Sequence, residues 1–344
     1  SSASAGDIIR FSPNIIASGS DTLHLLSKIQ TTKNLTIIGV YNSTDSLFIT
    51  STAYQGFLEL DLSSASTKTF HLDSIIAIDG LHNNGSVVSY RFCQLFIDNC
   101  IIKNNTSSFY GGAIYEYFTS TSGVVINNSK FINNMCSKGG AIYTDYAVVT
   151  NSEFSRNIAT GGASAIQSRN YIYESGNYFY ANSGTALSCG VFTSSNSIYS
   201  SNLGTGIFFG DGVINNTNFI NNKGLAVDAD QFGVNCKLKI NNCNFIGNGM
   251  GLEVYGDSLI VTNCTFYGNK SGATRFASQI TGYAKYDECI FQNNTSPRNS
   301  GVVVSSGSNT NTYITNSSFS YSKGIALYCY ANSQGLNTTV NKCT

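Results

Sequence analysis

Residues Asn128 to Asn134 read NSKFINN, and the same phrase returns as NSEFSRN at Asn151, NTNFINN at Asn216, NCNFIGN at Asn242 and NCTFYGN at Asn263. Looser copies centre on Ile102, Phe179, Tyr199, Phe291 and Phe319, so successive anchors lie 20 to 29 residues apart. A repeat of helix pairs needs a longer and more uniform period, whereas a coil of short strands takes up length differences in its loops. Between anchors the chain alternates, as in Leu238-Lys239-Ile240, the period-two signature of a strand with one face inward. The reading is an all-β fold, a single-stranded right-handed parallel β-helix of about 11–13 turns with one turn per repeat.

In such a coil each position of the repeat stacks on its counterpart about 4.8 Å away, so every column of the repeat has a physical task. The aromatic column, Phe131, Phe154, Phe179, Tyr199, Phe219, Phe245, Phe266, Phe291 and Phe319, is expected to stack inside as core. The asparagines three residues before and three residues after it are expected at corners, because Asn tolerates the left-handed conformation and its amide can bond its neighbours in a ladder. After the second Asn comes a further phrase, GGAIY at Gly111 and again at Gly139, with an echo GGASAIQ at Gly161. Its glycines supply a bend, Ile114, Ile142 and Ile166 an inward rung, and the next residue an outward one. That reasoning gives an outward aromatic face of Tyr115, Tyr143, Phe208, Tyr255, Phe276 and Tyr328, the candidate ligand-binding residues.

Composition agrees. Two prolines, no tryptophan, 33 glycines and 11% charged residues suit short strands and turns rather than helices. Lys+Arg and Asp+Glu are both 19, so no global field draws the chain to nucleic acid, and no apolar run reaches the roughly 18 residues that span a bilayer. Residues 1–32 are expected to form an N-terminal cap, with Leu23, Leu26 and Ile29 on one face of a short helix over Asp21 to Gln30. Less regular turns occupy 33–100 and regular repeats 101–344. The closing VNKCT begins another repeat, compare VTNCT at Val261, so the last turn is incomplete; a longer protein or a second chain is expected to complete it.

Cys100, Cys243, Cys264 and Cys289 share a small inward column with Ser129, Ser152, Thr217 and Ser317 and are expected as buried free thiols. No CxxC or Cys/His cluster points to a metal, and no cofactor is expected. Asn-x-Ser/Thr sequons make Asn34, Asn42, Asn84, Asn104, Asn215, Asn269, Asn293 and Asn337 candidate glycosylation sites.

GGAIY together with the aromatic-x-x-Asn anchors, from Ile101 to Tyr328, resembles the repeats of the polymorphic outer membrane proteins of chlamydiae and of similar surface proteins of some protists. The resemblance implies a parallel β-helix of the pectin-lyase-like class and a role in adhesion at cell surfaces. The same fold class also carries lyases and hydrolases of uronic-acid polymers, whose chemistry needs clustered carboxylates with a basic partner. Here acids are dispersed; Asp228 and Asp230 lie on one side of a strand within reach of Glu253 and Arg275, and the three histidines precede the regular repeats. The expectation is therefore a non-enzymatic extracellular or cell-surface scaffold, adhesive or assembling into a layer or filament. Its partners would be copies of itself, other surface proteins or glycans. The alternative is a polysaccharide-binding protein or a uronan-active lyase or hydrolase.

Overall fold

The computed structural model describes residues 6–11, 20–25, 29–31, 34–39, 46–51, 56–61, 68–117, 123–230, 236–278, 282–306, 310–321, 323–331 and 335–344. Two units, Ser1–Leu187 and Ser188–Thr344, each gather most of their contacts internally. Each is a right-handed parallel β-solenoid, with about 11 turns in all, and no helix occurs among the described residues.

A turn of the first unit shows the plan. Ile114–Glu116, Val124–Asn127 and Lys130–Ile132 form its three strands. They pair in parallel with the next turn, Ile114 opposite Ile142, Ile126 opposite Val149 and Phe131 opposite Phe154. The second unit repeats the arrangement, with Ile214 opposite Ile240 and Phe219 opposite Phe245. Parallel stacking buries alternate side chains, as in Val124–Asn127 and Lys237–Asn241, which accounts for the period-two pattern.

The expected aromatic core is present in both units. Phe131 and Phe154 stack at 4.9 Å with an interplanar angle of 2°, and in the second unit Phe245 and Phe266 stack at 4.5 Å and 3°. The asparagine columns divide their tasks more sharply than the repeat alone indicates. Those preceding the aromatic, such as Asn128, Asn216 and Asn263, are exposed corners with φ of +50°, +49° and +51°. Those following it, Asn134, Asn157, Asn222, Asn248 and Asn269, are fully buried or nearly so, and the left-handed residue there is the one before, as at Asn133, Arg156 and Asn221. Each buried amide spans turns: Asn222 Nδ2 donates to Asn248 Oδ1 at 2.9 Å and to the Tyr199 carbonyl at 2.9 Å. This ladder satisfies backbone groups that a solenoid corner would otherwise bury without partners.

The GG pair has two distinct causes. Gly111 and Gly139 adopt φ of +55° and +68°, and a Cβ on Gly112 would collide with the backbone carbonyl of Gly140 on the next turn.

The expected N-terminal helix is absent. Ser20–Leu25 is a strand, with Asp21 opposite Leu47 and Leu23 opposite Ile49, and Ile29–Thr31 pairs with Leu58–Leu60. Leu23 and Leu25 are half-buried while Thr22 and His24 are exposed, so period two prevails over helical spacing there; Leu26 lies outside the described residues. A neighbouring turn offers a complete row of backbone partners to Ser20–Leu25, which an isolated ten-residue helix could not match.

All ten cysteines are free thiols, eight of them buried. In the small inward column Cys243 Sγ donates to the Asn241 carbonyl, and Cys243 N–H points at Cys264 Sγ at 3.4 Å, the place that Ser152 Oγ takes for Ser129 N–H. Thiol and hydroxyl are interchangeable there because both are small and both bond the same backbone groups.

Candidate ligand-contacting surfaces

In the first unit the GGAIY phrases place Tyr115 opposite Tyr143 on the outer face of adjacent turns. Their rings lie 5.8 Å apart and gather two tyrosines that the repeat pattern does not single out. Tyr110 lies 5.4 Å from Tyr115 and 4.8 Å from Tyr143, and Tyr117 lies 4.8 Å from Tyr115 in an edge contact. The Arg169 guanidinium stands 5.3 Å from the Tyr143 ring centroid and pairs through Nε with Asp145 Oδ1. Asp145 is wholly buried and the Arg169 side chain 26% exposed, so the arginine is fixed from below while its plane backs a tyrosine. Partial burial pushes the Tyr115 and Tyr143 phenols up, with Arg169 opposing, and the four rings together offer flat, amphipathic contact surfaces.

Beneath this face the core is polar. Glu116 is buried and its Oε2 accepts from Thr144 Oγ1 at 2.7 Å, Asp145 N–H at 2.7 Å and Tyr90 O–H at 3.3 Å. Tyr90 is itself fully buried, its phenol raised by burial and then by the Glu116 charge, and the nearby Cys93 thiol is pushed up to about 12 for the same two reasons. These groups hold a carboxylate and the Asp145 turn in place. Burial holds both the thiol and the phenol in their protonated forms.

In the second unit the expected aromatic column dissolves. Register places Phe208 opposite Asp228, Asp228 opposite Glu253, Glu253 opposite Arg275, Arg275 opposite Val303 and Val303 opposite Tyr328. Tyr255 is half-buried on the outer side but lies two residues further along, opposite Asp230. Phe276 is fully buried, opposite Val254, and is therefore a core residue and no part of an outer face. The expected alignment would have turned Arg275 inward; in the structure the phenylalanine is buried and the arginine exposed.

The outer column thus carries a charged group. Arg275 Nη1 pairs with Glu253 Oε1 at 2.7 Å, Tyr255 O–H donates to the same oxygen at 3.0 Å, and the guanidinium lies 5.4 Å from the Tyr255 ring. Asp228 is raised to about 6, first by burial and then by the Glu253 and Asp230 carboxylates. Among the described residues no group of three or more His, Cys, Asp or Glu side chains could hold a metal ion, and no helix is long and apolar enough to cross a membrane.

The sequons fall into distinct settings. Asn104 and Asn337 are exposed, while Asn34, Asn84, Asn215 and Asn293 are half-buried. Asn269 is fully buried, its amide donating to the Phe245 carbonyl and to Asn294 Oδ1, so the folded chain has no room for a glycan there. Asn42 lies outside the described residues.

Fold and surfaces together define a parallel β-solenoid protein with a tyrosine-rich outer face in one unit and a charged outer column in the other. No protein-family model matches the chain, and no curated protein matches it in sequence. Among solved structures it is similar to the Streptococcus pneumoniae surface protein and adhesin PfbA, at 11% identity and a TM-score of 0.39, over 97% of this chain and 91% of that one.

Proposed function

We propose that the protein is a non-enzymatic extracellular or cell-surface scaffold that engages glycans or other surface proteins through the tyrosine face of its first unit. One observation carries the reading: Tyr110, Tyr115, Tyr117 and Tyr143 hold one another, and Arg169 is fixed by a buried carboxylate, so the face is preorganised before any partner arrives. Tyrosine offers large contact area at little cost in rotamer entropy, which makes such a face suited to adhesion. A set of rings stacked only for the sheet's own stability would not require a buried Asp145 to orient an arginine against one of them.

Glycan-array binding by the full chain, lost in the double variant Tyr115→Ser/Tyr143→Ser with the fold intact by circular dichroism, is the expected result; unchanged binding removes this face from the account. The enzymatic alternative rests on Asp228, a carboxyl raised to about 6 beside Glu253 and Asp230. Turnover of a uronic-acid polymer by the purified protein, abolished by Asp228→Asn, would replace the scaffold with an enzyme.

A further inference from the structure

The tyrosines of the first unit carry a second kind of chemistry, which does not depend on what their face binds. Tyr110 and Tyr115 lie on one turn, in Thr106–Tyr110 and Ile114–Glu116, and Tyr143 lies on the next, in Ile142–Thr150. The contacts of Tyr143 with the other two rings therefore join neighbouring turns. The closer of them is Tyr110 with Tyr143, centroids 4.8 Å apart and planes tilted by 54°; Tyr115 with Tyr143 follows at 5.8 Å and 47°. Rings with centroids about 5 Å apart touch, so carbon meets carbon across the turn. The backbone holds this arrangement. Tyr115 and Tyr143 pair in register, and Tyr110 bridges Lys138, from which Gly139 at φ of +68° leads the chain back to Tyr143. By contrast Tyr178 and Tyr180, stacked at 5.6 Å and 11°, share one strand, where a bond between them would join no turns.

Phenols in contact matter because tyrosine is the oxidisable side chain that this unit presents to solvent. The chain has no tryptophan. The cysteines of the unit, Cys93, Cys100 and Cys136, are buried, and burial pushes each thiol up to about 12, so they offer an oxidant no thiolate. Tyr90 is fully buried, whereas Tyr110, Tyr115 and Tyr143 are half-buried, with part of each ring in reach of solvent. A phenoxyl radical formed on one of these three arises already touching a second phenol.

We propose that the Tyr110–Tyr143 contact is an oxidative cross-linking site, at which the two phenols join as dityrosine and staple adjacent turns of the solenoid. Each phenol gives up one electron and its hydroxyl proton. A carbon–carbon bond then forms between ring carbons next to the two hydroxyl groups, and the hydrogens on those carbons move to the oxygens, which restores both phenols. Hydrogen peroxide, acting through a haem peroxidase, takes up the two electrons and two protons and leaves as water. Rings held together by the fold react as one molecule, at an effective concentration far above that of a second chain in solution. The new bond closes a loop between turns and restricts the unfolded chain as a disulfide would.

The test is oxidation of the dilute full chain by a haem peroxidase with hydrogen peroxide and, in parallel, by ruthenium photo-oxidation with persulfate, which needs no enzyme access. Tryptic mass spectrometry reads the result. Tyr110 and Tyr115 fall in the fragment 104–130 and Tyr143 in the fragment 139–156, so the staple appears as these two fragments joined with the loss of two hydrogen atoms. Tyr143→Phe should abolish the joined fragments, and Tyr110→Phe should reduce them about 5-fold, the remainder passing through Tyr115. Tyr146→Phe, in the same fragment as Tyr143, should leave the yield unchanged. Unfolding in urea before oxidation should lower it at least about 10-fold, because the contact is then gone. A mixture of isotope-labelled and unlabelled chains should give joined fragments of matched label. The proposal is overturned if neither oxidant produces the joined fragments, if Tyr110→Phe yields as much as the parent, if Tyr146→Phe removes them, or if fragments of mixed label predominate. No glycan enters the assay, so a negative result leaves the array experiment to decide the binding role of the face on its own.

Discussion

Replacing Asn248 by alanine tests whether the buried amide ladder or the stacked rings hold the corners of the second unit. Asn248 is fully buried and its side chain makes four hydrogen bonds. Its Oδ1 accepts from Asn222 N–H at 3.0 Å and Asn222 Nδ2 at 2.9 Å, and its Nδ2 donates to the Phe219 carbonyl at 2.9 Å and Asn269 Oδ1 at 3.2 Å. Alanine leaves the Asn222 N–H without a partner, deprives its amide of one acceptor and removes a donor from the Phe219 carbonyl. Two or three buried groups left unsatisfied, at about 1–3 kcal/mol each, give a loss of about 2–9 kcal/mol. The matched control is Asn242→Ala, at an exposed corner with φ of +55°, where the loss is a weak surface bond plus left-handed strain, about 1–2 kcal/mol. Equilibrium urea unfolding of both variants, followed by circular dichroism and by tyrosine fluorescence, measures the difference. A solenoid need not unfold in one step, so coincidence of the two probes must be checked first. Equal losses in the two variants would show that the ladder contributes nothing beyond ordinary corner geometry, and the account of the asparagine columns would fail.

Three further outcomes follow from the geometry. Phe276→Ala should cost about 3–5 kcal/mol and Tyr328→Ala under about 1 kcal/mol in the same unfolding assay; the reverse order would restore the aromatic-column alignment that the register contradicts. Asp228 is raised to about 6 against an ordinary 3.8, so the folded state holds its proton more tightly than the unfolded chain. The stabilisation from this group is therefore complete below about 3.8 and is lost as pH rises through about 6. Between pH 4 and pH 7 the parent should lose on the order of 1 kcal/mol more than Asp228→Asn, a figure reduced for the group's remaining contact with solvent, and parallel pH profiles would contradict it. Burial pushes the Cys100 and Cys289 thiols up to about 12, and only Cys329 and Cys343 are incompletely buried. A thiol-reactive disulfide reagent should label those two in the native protein and the other eight only in urea; fast labelling of a third would place an opening in the core.

The columns that repeat with the turn were legible in the sequence, because stacking demands the same chemistry at every rung: Phe131, Phe154 and Phe179 announce one another, as do Cys243, Cys264 and Cys289. What escaped was local register. Leu252 and Val254 are both inward, so an alignment slipped by two residues preserves the alternation and looks as sound as the true one; this displaced Tyr255. Phe276 was lost to a change of parity that only the burial of Thr274 beside an exposed Arg275 discloses. Asp145 faces inward because the pairing shifts between Thr144 and Tyr146, an irregularity no periodicity can foresee, and the ion pair to Arg169 depends on it. Tyr110 and Tyr117 were visible on either side of GGAIYE, but their ring contacts are set by the bend at Gly111 and by the neighbouring turn.

The most direct test of the tyrosine face as the contact surface is hydroxyl-radical footprinting of the full chain with and without a glycan identified on the array. The account predicts protection of Tyr110, Tyr115, Tyr117 and Tyr143, with Tyr146 and Tyr173 on the adjoining strands as reactive as before. Protection absent from the four tyrosines while the glycan is demonstrably bound would contradict it.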